Sequence, residues 1–323
     1  MSDPIICVVI PAYNEERSIS QTVADYRSHF PNAVIVVVDN NSTDQTALCA
    51  ESALAGGSGL LLTEKRKGKG AAVKTGLSRI DADIYIMTDG DGTYPASDAR
   101  HLVSLLENNR CDMVVGDRQA GGTYRDQNTR PGHSTGNRLL SKYVSSLSGQ
   151  QYNDVLSGLR VMSRPFVASL DVRSTGFQLE TELNIVAAYL RANVIEAPVN
   201  YLSRVEGDKS KLNTIDDGLR ILFFALINWL AFYPLRAFGI LAAISLAISA
   251  VLGAWVFYVF FKTGLMPYPS TAVATAVVGL VGIQSMFSGV NLHIAGRNAR
   301  RAAIAALLEK RRSWNQKMDL PNA

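Results

Sequence analysis

Short apolar runs alternate with polar segments of helical spacing over the first two thirds of the chain. The runs Ile5–Ile10 and Val34–Val38 consist mainly of β-branched residues, which is typical of strands covered on both faces. A segment with helical spacing follows each run, as at Ser18–His29. This alternation predicts an α/β fold with a mostly parallel sheet and flanking helices.

The same pattern predicts further elements along the chain. Strands are expected at Gly59–Thr63, Ile84–Met87, Met113–Val115, Val161–Met162 and Val194–Val199, and helices at Ala71–Ser78, Asp98–Asn108, Asn137–Leu147 and Thr181–Arg191. Ser42 or Thr43 is the expected N-cap of the helix that follows the second strand. The polar stretch Gln119–Gly136 is expected to be a mobile loop.

The last third of the chain is far more apolar. Ile221–Tyr233 is too short to span a bilayer and fits a helix at the membrane interface. Ala237–Phe261 and Ser270–Ala295 contain no charged residue, and each is long enough to cross a hydrocarbon core of about 30 Å. Two buried helices of a soluble protein are the alternative. Basic residues cluster after the second run, which places both ends of the chain in the cytosol by the positive-inside rule.

These features predict four regions. They are a cytosolic α/β domain at 1–215, an interfacial amphipathic helix at 216–236, a transmembrane hairpin at 237–296 and a basic cytosolic tail at 297–323. The N-terminus lacks the basic segment of a cleaved signal peptide, so none is expected.

Bulk composition narrows the classes of function. The chain has 323 residues and a net charge of +4, which is too small to indicate nucleic-acid binding. Cys7, Cys49 and Cys111 lack metal-ligand spacing and are expected to be reduced thiols used in packing.

Acidic residues follow the predicted strands at one edge of the sheet. Asp39 ends the second strand, and Asp89 and Asp91 follow the fourth. Because ligands of parallel sheets bind beyond the carboxyl ends of the strands, one site can hold all three. Mg²⁺ or Mn²⁺ would relieve the repulsion between Asp89 and Asp91 and commonly shares its shell with substrate phosphates. An ordinary acidic turn is the alternative.

A basic, glycine-rich loop precedes the third helix. Lys67–Gly70 lies at the helix N-terminus, where free N–H groups and the helix dipole favour an anion. Neither the P-loop pattern nor the dinucleotide pattern is present, because Val73 precedes Lys74 and the first strand ends without the required glycines. A solvated charged turn is the alternative.

Four motifs resemble those of a known family. They are Val8-Val9-Ile10-Pro11-Ala12-Tyr13-Asn14-Glu15, Val38-Asp39-Asn40-Asn41-Ser42-Thr43-Asp44, Lys67-Gly68-Lys69-Gly70 and Asp89-Gly90-Asp91. Their order and spacing resemble family 2 glycosyltransferases of the GT-A fold. Later segments resemble polyprenyl-phosphate sugar synthases, which include dolichol-phosphate mannose synthase and bacterial undecaprenyl-phosphate enzymes. These segments are Gly116–Arg118, Asn137–Ser141, Asp154–Arg160 and Ser210–Leu212.

The resemblance implies a role for each matching residue. The nucleoside would be held by Pro11, Tyr13, Glu15 and Asp39, and the nucleotide would lie beside Lys69 and Asp89. The metal would be bound by Asp91 with Asp89, and the diphosphate would be covered by Lys209 and Lys211. The lipid phosphate would be held by Arg118, Arg138 and Ser141. Thr93 stands where many relatives have Gln, which puts a third metal ligand there in doubt. A surface salt bridge is the alternative for either arginine.

The implied reaction is an inverting sugar transfer from a UDP- or GDP-linked donor to undecaprenyl or dolichyl phosphate. Asp154 matches an acidic candidate of the family and is expected to be either a general base or a structural partner of Arg160. The rival functions are transfer to another membrane lipid or a polysaccharide, and an inactive membrane scaffold. The intact Asp89-Gly90-Asp91 motif argues against the scaffold. The sugar, the lipid length and the oligomeric state, a homo-oligomer included, stay open.

Overall fold

The computed structural model describes residues 4–121, 133–148, 151–176, 178–204, 223–224, 226–228 and 230–317. The chain forms two compact units. The first combines residues 1–221 with residues 303–323, and the second consists of residues 222–302.

The first unit is built on a seven-stranded sheet with helices on both faces. Its strands are β1 Ile6–Ala12, β2 Val34–Asp39, β3 Gly59–Thr63, β4 Ile84–Met87, β5 Met113–Asp117, β6 Arg160–Ser163 and β7 Val194–Pro198. Its helices are α1 Ile19–His29, α2 Thr46–Leu54, α3 Lys69–Arg79, α4 Ala96–Asn109, α5 His133–Ser148, α6 Arg164–Val167 and α7 Leu179–Leu190. The predicted α/β fold is confirmed, with most boundaries shifted by one or two residues.

The strand order is β3-β2-β1-β4-β6-β5-β7. All neighbouring pairs are parallel except those of β6, which runs antiparallel to β4 and to β5. The carboxyl ends of the other six strands therefore meet at one edge, which we call the carboxyl edge. The segment that enters β6 lies at the same edge because β6 starts there.

Alternate residues of the central strands enter two separate cores. Val8, Ile10, Ile35 and Val37 pack on one face of the sheet, and Cys7, Val9, Val36 and Val38 pack on the other. Burial on both faces explains why these strands read as continuous apolar runs rather than as alternating ones.

The predicted N-cap of α2 is wrong. The helix begins at Thr46, and the Asp44 carboxylate accepts hydrogen bonds from its backbone N–H and its hydroxyl. Ser42 Oγ instead accepts a bond from the Asn14 N–H, and the Thr43 N–H donates to Asn14 Oδ1. Ser42 and Thr43 thus join the loops after β1 and β2.

The second unit contains two long apolar helices. These are α8, Pro234–Thr263, and the part of α9, Pro269–Lys317, that ends at Ala302. Over the described chain, they are the two helices long and apolar enough to cross a membrane, and their most apolar 18-residue windows have mean hydropathy values of 2.3 and 1.7. Of the interfacial helix predicted at 216–236, residues 223–224, 226–228 and 230–232 are helical, whereas Tyr233 is the N-cap of α8 and residues 234–236 belong to α8. Residues 216–222, 225 and 229 lie outside the described residues.

Small residues allow α8 and α9 to approach closely. A Cβ at Gly279 would lie 2.8 Å from Ser249 Oγ, and one at Gly282 would lie 2.8 Å from Leu246 Cγ. Ser249 Oγ also donates to the Thr275 carbonyl at 2.9 Å. This is the packing expected of membrane helices, where close backbone approach replaces the hydrophobic effect.

The C-terminal end of α9 belongs to the first unit. Leu307 is 1% exposed in one core and Trp314 is 5% exposed in the other. Arg311 pairs with Asp112 at 2.5 Å, and Lys317 pairs with Asp83 at 2.7 Å. Asp83 and Asp112 precede β4 and β5, so this segment covers the edge opposite the carboxyl edge. We call residues 303–317 the docked segment.

Candidate functional site

The loops after β1 and β4 meet at the carboxyl edge. Gly90 lies beside the end of β1, where a Cβ on this glycine would be 3.2 Å from the Pro11 carbonyl. The Gly90 carbonyl accepts hydrogen bonds from Ser18 Oγ at 2.9 Å and Thr22 Oγ1 at 3.3 Å. The start of α1 thus fixes the backbone between Asp89 and Asp91.

Asp39 offers a buried acceptor at this edge. It is the last residue of β2 and is 6% exposed, and Oδ1 has no hydrogen-bond partner within the described chain. Buried polar atoms are nearly always paired, so an unpaired one here is suited to a ligand. Glu15 is also buried, and its N–H donates to Thr46 Oγ1, whereas Tyr13 is exposed.

The glycines of the basic loop allow two chain segments to touch. Gly68 has φ of +121°, and a Cβ on it would lie 2.1 Å from the Thr175 carbonyl. At Gly70 the corresponding distance to the Ser174 carbonyl is 2.3 Å. The Ala71 N–H, at the start of α3, donates to the Thr175 carbonyl. The glycines of the loop are therefore packed against residues 174–176, whereas Lys65, Arg66 and Lys67 are exposed.

Lys69 joins the acidic loop to α7. Its Nζ lies 2.5 Å from Asp89 Oδ1 and 2.5 Å from Glu180 Oε1. Burial alone would lower the pKa of Lys69, but the two carboxylates outweigh it and raise that pKa above its ordinary range. Lys69 thus remains charged. Sequence reasoning missed Glu180, whose signal is a buried acidic residue in the first turn of a helix.

Asp91 is buried and paired with a second cation. Its Oδ2 lies 2.6 Å from Arg204, and its Oδ1 accepts bonds from the N–H and hydroxyl of Thr93. Burial raises the pKa of Asp91, the charge of Asp89 raises it further, and Arg204 opposes both. Arg204 was also missed, because only a long-range contact marks it.

Asp89 has room only because position 158 is glycine. A Cβ at Gly158 would lie 2.5 Å from Asp89 Oδ2. The Gly158 N–H donates to the Tyr94 hydroxyl at 2.9 Å, which holds the segment entering β6 against the acidic loop.

The two aspartates suit a divalent cation. They offer hard carboxylate oxygens from one loop. Lys69 and Arg204 occupy one oxygen of each carboxylate in this structure, so a metal ion would share or displace these contacts. Across the residues that the structure describes, no group of three or more His, Cys, Asp or Glu side chains could hold a metal.

Arg118 and Asp154 form a buried ion pair beside this loop. Arg118 Nε lies 2.6 Å from Asp154 Oδ2, and its NH2 lies 2.7 Å from Oδ1. Asn137 Nδ2 donates to the same carboxylate at 2.9 Å. Burial would raise the pKa of Asp154, but Arg118 holds it below its usual range.

The expectation that Arg160 is the structural partner of Asp154 is wrong. Arg160 donates to the Ser157 and Val155 carbonyls and to Asn184 Oδ1. Arg118 takes that place because its planar guanidinium reaches both carboxylate oxygens at once.

The remaining predicted residues are Ser141, Arg138, Lys209 and Lys211, and Tyr201 is a neighbour of Arg118 that was not predicted. Ser141 is buried on α5 and donates to the Asn153 carbonyl at 3.1 Å, whereas Arg138 on the same helix is exposed. Tyr201 lies under the Arg118 guanidinium, 5.6 Å from its carbon, and packs edge-on against Tyr94. Lys209 and Lys211 lie outside the described residues.

The sequence is similar to a known family and to several curated proteins. The model for glycosyl transferase family 2 matches residues 7–170. Glycosyltransferase AglJ of Haloferax volcanii is 32% identical over 88% of this chain and 91% of its own length. A dolichyl-phosphate hexose transferase of the same organism is 28% identical over 67% and 90%. The UDP-N-acetylglucosamine–dolichyl-phosphate N-acetylglucosaminyltransferase of Methanococcus voltae is 30% identical over 62% and 86%.

Solved structures share the fold. Glucosyl-3-phosphoglycerate synthase from Mycobacterium tuberculosis, in complex with Mn²⁺ and UDP-glucose, aligns with a TM-score of 0.54 and 21% identity. The alignment covers 71% of this chain and 79% of that one. The predicted GT-A architecture is thus confirmed. From its matching motifs, its fold and its relatives, this chain belongs to glycosyltransferase family 2.

Proposed function

We propose that this enzyme transfers a sugar from a UDP- or GDP-linked donor to a polyprenyl phosphate, undecaprenyl or dolichyl phosphate. The observation that carries the lipid acceptor is the pair of helices α8 and α9. Only 11% and 17% of their most apolar windows are buried within the protein, which suits surfaces that face lipid. Two relatives named for dolichyl phosphate support the same class of acceptor.

The donor binds at the carboxyl edge. Pro11, Tyr13, Glu15 and Asp39 hold the nucleoside, and the unpaired Asp39 Oδ1 accepts a hydrogen bond from its ribose or base. Lys69 lies beside the nucleotide and keeps Asp89 in place. Mg²⁺ or Mn²⁺ on Asp91 and Asp89 would neutralise the diphosphate as it leaves. Lys209 and Lys211 close over the same group.

The acceptor phosphate binds on the other side of the acidic loop. Arg118, Arg138 and Ser141 hold it, and the guanidinium groups match phosphate geometry. A phosphate monoester has its second pKa near about 6, so its oxygen is largely ionised at neutral pH. The phosphate oxygen attacks the anomeric carbon with inversion, and the nucleoside diphosphate leaves without needing a strong general base.

The two candidate spans support a reaction at a bilayer. Both ends of the chain lie in the cytosol, and the enzyme is a two-span protein of the plasma or inner membrane, or of the endoplasmic reticulum in a eukaryote. Its product, a polyprenyl-phosphate sugar, would serve cell-envelope or protein glycosylation.

A screen of donors and acceptors tests this function. The full chain in detergent is mixed with single nucleotide sugars and with undecaprenyl or dolichyl phosphate, and products are identified by mass spectrometry. We expect a polyprenyl-phosphate sugar with at least one donor and none with the matching polyprenol, which lacks the phosphate. Glycosylation of another lipid or of a glycan would contradict the acceptor, and absence of any turnover would favour a scaffold.

Asp154→Asn separates a base from a structural partner. The lowered pKa of Asp154 makes it a weak base, and its two hydrogen bonds with Arg118 fix the position of that guanidinium. We expect kcat to stay within a few-fold and the KM for polyprenyl phosphate to rise about tenfold, as for a weakened charged hydrogen bond. Steady-state kinetics measure both. A loss of about 10²–10⁴ in kcat at constant acceptor KM would indicate a general base instead.

A further inference from the structure

Glu196 connects the sheet to the segment that carries Asp154. It lies on the edge strand β7, opposite Val115 of β5. One carboxylate oxygen, Oε2, accepts from the Asn153 N–H at 2.8 Å, and the other, Oε1, accepts from the Asp154 N–H at 3.1 Å. Two successive backbone donors are therefore held by one side chain.

The segment formed by Asn153 and Asp154 supports the ion pair between Asp154 and Arg118. The Asp154 backbone is fixed by Glu196, and its carboxylate holds the Arg118 guanidinium through two hydrogen bonds. Asn153 is held further by Gln119 Nε2 and Ser141 Oγ, which donate to its carbonyl. Unlike Gln119 and Ser141, Glu196 carries a carboxyl group that can titrate near neutral pH.

We propose that Glu196 is a positioning residue for sugar transfer, whose ionised carboxylate holds Asn153 and Asp154 so that Arg118 is aimed at the acceptor phosphate. The inference rests on the proposed function, because it assigns Arg118 to that phosphate. Glu196 acts through Asp154 and does not itself touch a substrate.

The protonation state of Glu196 decides how many donors it can hold. Burial raises its pKa to about 7, the two N–H donors oppose this, and the charges of Asp117 and Asp154 add to it. Arg160, on β6, also interacts electrostatically with Glu196. A protonated carboxyl group keeps one good acceptor, so one of the two N–H bonds weakens below pH 7.

Ionisation of Glu196 with rising pH lowers folding stability but is expected to improve acceptor binding. The ordinary pKa of a glutamate is 4.5 and the folded value is about 7, so between these pH values the native state binds more protons than the unfolded state. Folding stability therefore falls as pH rises through this window. The hold on Asn153 and Asp154 increases over the same range, and acceptor binding is expected to improve with it.

Kinetics of Glu196→Gln and Glu196→Asp across pH 5.5–8.5 test the role. For the native enzyme, kcat/KM for polyprenyl phosphate should rise with a midpoint near 7. Glu196→Gln should lose the component near 7, keep only the rise near about 6 that comes from ionisation of the acceptor phosphate, and raise the acceptor KM about tenfold, with the donor KM unchanged. Glu196→Asp keeps the charge and should keep the rise. Glu107→Gln removes another carboxyl with a raised pKa, on α4, and should behave like the native enzyme.

Hydrogen exchange of the full chain gives a readout that needs no substrate. After correction for intrinsic rates, the amides of Asn153 and Asp154 should lose protection below pH 7 in the native protein and at every pH in Glu196→Gln. A folded Glu196→Gln with native exchange and native acceptor KM would overturn the inference. If the native enzyme modifies no polyprenyl phosphate, the proposed function fails, while the exchange experiment still tests the anchor.

Discussion

Replacing Asp91 with asparagine is expected to lower sugar transfer by more than about a hundredfold, the usual cost of removing a charge that stabilises the transition state. Asparagine keeps the size of the side chain but loses the negative charge that would bind the metal. It also leaves Arg204 without its 2.6 Å partner, so the positive charge at this site is no longer balanced. The effect should therefore fall on donor binding as well as on turnover.

The measurement combines rates and binding. Initial rates of lipid-linked sugar formation are followed while Mn²⁺ or Mg²⁺ is varied, and donor affinity is measured by calorimetry with and without the ion. Asp171→Asn is the matched control, because this aspartate lies in an exposed ion pair with Arg173. An Asp91→Asn enzyme with native rates and unchanged metal dependence would remove Asp91 from the metal site.

Ending the chain after Ala302 is expected to unfold the first unit. The truncation removes Leu307 and Trp314, which are buried in its two cores. It also removes Arg311, the salt-bridge partner of Asp112, and Lys317, the nearer of the two cations paired with Asp83, which keeps Arg164 at 3.9 Å; Asp112 and Asp83 are 1% and 3% exposed. A buried charge left without its partner costs about 3–5 kcal/mol. Losses of this size approach the whole stability of an ordinary domain, about 5–15 kcal/mol.

Thermal unfolding in detergent, followed by circular dichroism, measures this effect. A point variant separates the ion pair from the rest of the docked segment. Arg311→Ala should lower the midpoint clearly, whereas Arg312→Ala, its exposed neighbour, should leave it unchanged. A truncated chain that melts at the native midpoint would show that the docked segment contributes little to stability.

The sequence predicted those parts of the fold that local patterns determine. Continuous β-branched runs identified β1 and β2, and uncharged runs identified the apolar parts of α8 and α9. The antiparallel direction of β6 escaped prediction, because strand direction depends on which neighbours a strand meets. The N-cap of α2 was wrong for a similar reason, since Ser42 and Thr43 are recruited by Asn14 from another loop.

The residues of the candidate site also differ in whether local sequence patterns could identify them. Asp39, Asp89 and Asp91 could be grouped from the sequence, because parallel strands place their carboxyl ends together. Glu180 and Arg204 could not, since each meets its partner across a stretch of more than a hundred residues. Arg311 was counted only among the charges that orient a membrane protein, and Lys317 was not singled out, yet both pair with buried aspartates.

The docked segment also sets an order of events during synthesis. Arg311 follows its partner Asp112 by 199 residues, and Lys317 follows Asp83 by 234. At translation rates of about 5–20 residues per second, the partner of each buried aspartate is synthesised tens of seconds or less after the aspartate itself. Both apolar helices are synthesised in that interval. The first unit is therefore completed only after these helices have been made, so an interrupted chain that lacks them also lacks part of the cores of the first unit.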